Sequence, residues 1–173
     1  GRNFSIPYYT KVRLEKEERN RQHFTILEGA HRGTRASVRS DDDGSSFLQG
    51  ENPHTAPVHF VYSLSTRILK FKTKRYKTID YKDDEDPWER RLYDIAIPDA
   101  PHAGGRAYLG QAALALVWLK VSHRDDKRYL HPGKYTLGCI TLTEIERWDE
   151  VCKVLLKARK GDGRSVGVVE IAD

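Results

Sequence analysis

Only one stretch of this chain repeats its apolar residues at a helical spacing, which confines the fold to a mainly β architecture. In TEIERWDEVCKVLLKARKG, residues Ile145, Trp148, Cys152 and Leu155 recur at three- and four-residue steps and share one face. Thr143 and Glu146 have the spacing of a capping box and Gly161 supplies a stop, which predicts a helix starting near Thr143. Cys152, on the apolar face, is expected to be core packing.

The rest reads as short strands. YYTKVRLEKE alternates, and HFTILEGAHRGTRASVR sets two apolar runs around Gly29 and Gly33, as in a hairpin that needs positive φ. This segment resembles a small SH3-like β module. SDDDGSSFLQGENPHTAP, from Ser40 to Pro57, offers little to bury and reads as a linker. The expected division is a small β segment over 1–50 and a larger domain over 57–173. VHFVYSLSTRILKFKTKRY predicts two strands joined around Ser63 to Thr66. TIDYKDDEDPWERRLYDIAI predicts an acidic turn ending at Pro87, then a strand over Leu92 to Ile97. PDAPHAGGRAYLG is a loop in which Gly104 and Gly105 permit unusual backbone geometry. Periodicity does not assign AALALVWLKV, whose length suits a short helix, a buried strand or one passing into the other; Leu116 to Val121 is read as strand. SVGVVEI is a closing strand.

With 173 residues and 38% apolar side chains, the chain can build one good core. Its net charge of +5, from 30 basic and 25 acidic residues, permits an anionic partner without requiring one. RILKFKTKRYK is the nearest approach to a nucleic-acid surface, but its alternation fits a half-buried strand, so a nucleic-acid partner is not expected. Two cysteines make at most one bridge, no Cys/His spacing suits zinc, and no apolar run is long enough for a membrane span. A start at Gly1 without any methionine predicts a trimmed or processed chain, from which an export signal could have been removed.

The chemistry-bearing stretch is YLHPGKYTLGCITL, where Cys139 ends a loop just ahead of the helix. A thiol nucleophile needs a base within hydrogen-bond reach and a third group to hold that base. His131 and His123 precede Cys139 closely. A backbone carbonyl, Ser122, Asp125 and Asp126 are candidates to orient the imidazole, and Arg106 and Tyr108 follow the glycine pair where a substrate carboxylate could meet them. A buried, inert cysteine is the alternative reading of the same residues.

LHPGKYTLGCITL resembles the active-site segment of the L,D-transpeptidase family, in which a histidine precedes a Ser/Thr-x-Gly-Cys motif. The wording is similar to the branch found among peptidoglycan-targeting type VI secretion effectors, matching at His131, Pro132, Gly133, Thr136, Gly138, Cys139 and Ile140. Thr136 replaces the usual Ser, and Leu137 stands where cell-wall synthetic members carry His. The likeness implies an L,D-transpeptidase-like β-sandwich or barrel with one helix after the cysteine, and no cofactor. It implies Cys139 as nucleophile, with His131 as base ahead of His123. Backbone N–H groups of Gly138 and Cys139 would hold the oxyanion, while Thr136, Gly133, Arg106 and Tyr108 would contact substrate. The substrate would be a peptidoglycan stem peptide, met in the bacterial periplasm or after secretion, with an immunity protein or a secretion-apparatus component as further partners. A non-catalytic β protein that binds peptidoglycan or nucleic acid is the other reading.

Overall fold

The computed structural model describes residues 2–41, 43–80, 86–124 and 126–173. The acidic turn expected before Pro87 falls mostly on 81–85, and Asp125 was a candidate to orient the imidazole; both lie outside the described residues. Two sheets form. The first is an antiparallel meander of β1 (Val12–Glu18), β2 (Arg21–Ile26) and β3 (Arg35–Arg39). Gly29 and Gly33 both adopt positive φ, 71° and 85°, between β2 and β3.

The second sheet contains β4 (Val58–Ser63), β5 (Ile68–Phe71), β6 (Lys74–Ile79), β7 (Leu92–Ala96), β8 (Leu119–Lys120), β9 (Tyr129–Pro132), β10 (Ile140–Leu142) and β11 (Ser165–Ile171). Its strand order is β7-β11-β4-β5-β6-β10-β9-β8. A bridge between Ile95 and Val121 brings the two ends together, so the sheet is a nearly closed barrel. Helix α1 (Trp148–Lys157) presents Trp148, Cys152 and Leu155, each 0% exposed, to the core. Burial pushes the Cys152 thiol pKa up, as befits an inert side chain. Among the described residues the protein is thus mainly β, with one α-helix following the cysteine-bearing loop.

Three local expectations are corrected. Arg67 to Lys77 is a hairpin, not one strand: the chain turns at Lys72, whose φ is 53°, and Leu69 and Tyr76 enter the core from β5 and β6. Two of its cations pair internally, with Arg67 3.1 Å from Asp80 and Lys74 3.2 Å from Glu150. Leu116 to Val121 shortens to the two-residue β8, because Leu114 and Val117 are held in turns and the Asp149 carboxylate accepts the Ala113 and Leu114 N–H groups. The capping box does not form: the Thr143 hydroxyl donates to the Lys77 carbonyl at 3.2 Å, and a 3-10 turn over Ile145–Arg147 precedes α1. Gly161, with φ 96°, lies beyond Ala158, the C-cap of α1.

The three-stranded sheet is fastened to the barrel by one buried ion pair. Glu28 receives Arg159 at 2.8 Å, with side chains 6% and 8% exposed, and also accepts the Lys11 N–H at 2.8 Å. Gly29 donates its N–H to Gly163 O at 2.9 Å beside this pair.

Candidate active site

β9 and β10 are parallel neighbours, with Leu130 opposite Ile140, His131 opposite Thr141 and Pro132 opposite Leu142. Parallel pairs ordinarily need a crossover of a dozen or more residues. Here residues 133–139 suffice because both strands are short, and the loop must run back along β9 before re-entering the sheet. Glycines stand at both ends. A Cβ on Gly133 would lie 3.3 Å from Thr141 Cγ2 and 3.7 Å from His131 Cε1, and Gly138 has φ 102°. The return delivers Cys139 beside the start of β9. Its sulfur accepts the Tyr129 N–H at 3.4 Å and lies 3.9 Å from the Lys127 carbonyl, and the residue is partly exposed.

The peptide preceding the sulfur is held from behind. Trp88 Nε1 donates to Gly138 O at 3.1 Å, and the Arg128 guanidinium donates to the same oxygen and to Asp86 O. Arg128 is 1% exposed and lies over the Trp88 ring. In a trans peptide the C=O and the following N–H point in opposite directions. Fixing Gly138 O toward Trp88 therefore aims the Cys139 N–H the other way. The Gly138 N–H, expected as a second oxyanion donor, is instead given to Thr136 Oγ1 at 3.1 Å, and the Thr136 hydroxyl donates to Cys139 O at 2.9 Å. Thr136 thus braces the loop, whereas a substrate-contacting role was expected.

His131 is 6% exposed. Its Nδ1 lies 2.9 Å from Pro132 O, a group that only accepts, so Nδ1 carries the hydrogen. Burial pushes the imidazole pKa down to about 4, against the opposing pull of the Pro132 carbonyl and with nearby His102 lowering it further. The ring is therefore neutral near pH 7, and Nε2 is an acceptor that receives the Thr141 hydroxyl at 3.0 Å. Cys139 precedes Thr141 by two residues, about 7 Å along a strand. The structure thus brings histidine and thiol to the same strand pair, with the Thr141 hydroxyl standing at the basic nitrogen.

The other expected residues are placed as follows. His123 lies behind Trp88, stacked on Tyr93, with Nδ1 3.4 Å from Asp86 Oδ2 and Nε2 3.4 Å from Pro87 O. Ser122 Oγ accepts the Asp94 N–H, and Asp126 pairs with Lys120 at 3.0 Å. Neither orients His131, whose orienting group is the Pro132 carbonyl. Tyr108 accepts the Lys134 N–H at 3.1 Å and supports the loop from below, while Arg106 is exposed. Leu137 and Tyr135 protrude from the loop, 90% and 83% exposed.

Sequence reasoning missed Thr141, Arg128, Trp88, Trp118 and His102. Trp118 stacks on His131 at 4.1 Å on one face and on His102 at 4.8 Å. Gly104 admits this indole by closeness, since a Cβ there would meet Trp118 Cη2 at 2.7 Å; its φ is not positive, contrary to the expected role of the glycine pair. A separate groove of about 1200 Å³ between the N-terminal residues and the three-stranded sheet, lined by Phe4, Tyr8, Phe24 and Phe47, shares no residue with this site.

No protein-family model matches the chain, and neither does any curated protein. Among solved structures, L,D-transpeptidase 1 of Mycobacterium tuberculosis is similar over 98% of this chain and 80% of its own, at 10% identity and a TM-score of 0.40.

Proposed function

We propose that the protein is a cysteine acyltransferase acting on peptidoglycan stem peptides, as the LHPGKYTLGCITL wording implies. The observation that carries the reading is the neutral His131, held at Nδ1 by Pro132 O, on the strand paired with the one that Cys139 leads into. The Thr141 hydroxyl passes its proton to His131 Nε2 as it takes the thiol proton, which leaves a thiolate and an imidazolium. The thiolate attacks the carbonyl between meso-diaminopimelate and D-alanine, and the Cys139 N–H meets the developing oxyanion. Returning the proton to the leaving amine releases D-alanine and leaves a thioester. An amine then gives cross-linking or D-amino-acid exchange, and water gives carboxypeptidase cleavage.

Arg106, exposed two residues before the Tyr108 that bonds the loop, is the candidate to meet the substrate carboxylate. His123 takes no part in proton transfer on this reading. Weighing the muropeptides after digestion of purified peptidoglycan separates the three outcomes. The reading fails if wild type leaves the muropeptides unchanged and if iodoacetamide modifies Cys139 no faster than a free thiol near pH 7.

The effector-like wording supports a role as an antibacterial toxin acting in the periplasm, kept in check by an immunity protein. Directing the protein to the periplasm of a Gram-negative host tests it, and unimpaired growth with an unaltered stem-peptide profile rejects it.

A further inference from the structure

A second imidazole stacks on the same indole, Trp118, as His131, in a setting opposite to that of His131. His102 Nε2 is 2.9 Å from Asp99 Oδ1, with side chains 22% and 37% exposed, and among the described residues no group bonds its Nδ1. The ring is clamped, lying 3° from parallel to Trp118 and meeting Tyr129 edge-on at 4.8 Å. Tyr129 is also the residue whose N–H reaches the Cys139 sulfur. One tyrosine therefore touches both the thiol and an imidazole whose Nε2 is already held by a carboxylate. Burial raises the Tyr129 pKa, and the charges of Asp99, Asp126 and Cys139 add to this while Lys120 opposes it.

The two histidines are suited to different half-reactions. His131 has both nitrogens engaged and resists a proton, which suits brief transfer to and from the sulfur. The Asp99 carboxylate engages His102 Nε2 and leaves Nδ1 as the open acceptor, which suits a base for a nucleophile arriving from solvent. Charge on His102 also disfavours charge on His131, so the two would act in turn.

Accepting the acyl-enzyme reading, we propose that Asp99 and His102 form a second acid–base pair that activates the acyl acceptor. As the acceptor amine or water attacks the Cys139 thioester, a C–N or C–O bond forms and its N–H or O–H proton moves to His102 Nδ1, giving an imidazolium paired with Asp99. Collapse of the tetrahedral intermediate breaks the C–S bond and expels the Cys139 thiolate, which recovers a proton as His102 releases its own.

The test follows the mass of the intact protein with a meso-diaminopimelate tetrapeptide as donor and D-methionine as acceptor. His102→Gln should form the acyl adduct within a few-fold of the wild-type rate yet discharge it about 10²-fold more slowly, so that the adduct accumulates. Asp99→Asn, at a half-buried position, should shift the same step in the same direction by a smaller factor. Added imidazole should restore discharge in His102→Ala, a rescue that a merely structural role does not give. Equal slowing of both steps, or normal discharge in folded His102→Gln and Asp99→Asn, overturns the proposal alone. No adduct in wild type overturns it together with the acyltransferase reading.

Discussion

Replacing Thr141 by Val removes one hydroxyl and nearly nothing else. The residue is 0% exposed on β10, and Val keeps its volume and its β-branched shape. What is lost is the 3.0 Å bond to His131 Nε2, which leaves a buried acceptor without its donor. Such a deletion costs about 1–3 kcal/mol. With a urea slope of about 2 kcal/mol/M, the unfolding midpoint should fall by roughly 0.5–1.5 M. Thr141→Ser, which keeps the hydroxyl, should recover most of that loss. The same two variants report on proton transfer. If the hydroxyl passes the thiol proton to Nε2, alkylation of Cys139 by iodoacetamide at pH 7 should slow by about 10²-fold in Thr141→Val and by little in Thr141→Ser. A midpoint shift under about 0.2 M would refute the structural half of the argument. Faster alkylation in Thr141→Val would refute the chemical half, because it would mean that the hydroxyl shields the base.

Arg128→Met should cost about 2 kcal/mol or more in urea unfolding and slow Cys139 alkylation, since it removes charged donors from Gly138 O and Asp86 O. Arg128→Lys should not rescue it, because an ammonium lacks the fork that spans two carbonyls. Gly133→Ala presses a Cβ to 3.3 Å from Thr141 and 3.7 Å from His131, so thiol reactivity should fall more than stability, measured by alkylation against thermal unfolding. For pH, the folded His131 resists protonation until about pH 4, whereas an unfolded histidine takes its proton near 6.5. The unfolded state therefore binds more protons between those values, and stability should drop as pH falls from 6.5 to 4, by about 3 kcal/mol in all. His131→Asn should flatten that part of the curve. Glu28→Gln strands the Arg159 cation 8% exposed and should cost about 3–5 kcal/mol by urea unfolding.

Particular residues show how far the sequence was legible. The face shared by Ile145, Trp148, Cys152 and Leu155 is buried as its period required, because a helix has to hide such a stripe. The glycines at 29 and 33 turn with positive φ, a conformation few other residues adopt cheaply. Elsewhere local pattern was overridden from a distance. No glycine marks the turn at Lys72, so alternation reads straight through it, and only the pairing of Phe71 with Lys74 reveals the hairpin. Thr143 had a capping partner at the right spacing but found the Lys77 carbonyl of β6 instead. In the site, Cys139 and His131 were visible as residue types in one loop, while Trp118, His102, Thr141 and Arg128 carry no mark in their own neighbourhood that sets them apart.

By itself, then, the sequence determined the class of fold, the one helix, the inert cysteine and the cysteine worth testing, because each follows from local periodicity or a short motif. The tertiary structure decided the rest of the site. A short parallel pairing of β9 with β10 carries the loop back to Tyr129, puts Thr141 opposite His131 and sets Trp118 between two histidines. Those relations join residues far apart along the chain through strand register and ring packing, which periodicity within one segment does not encode.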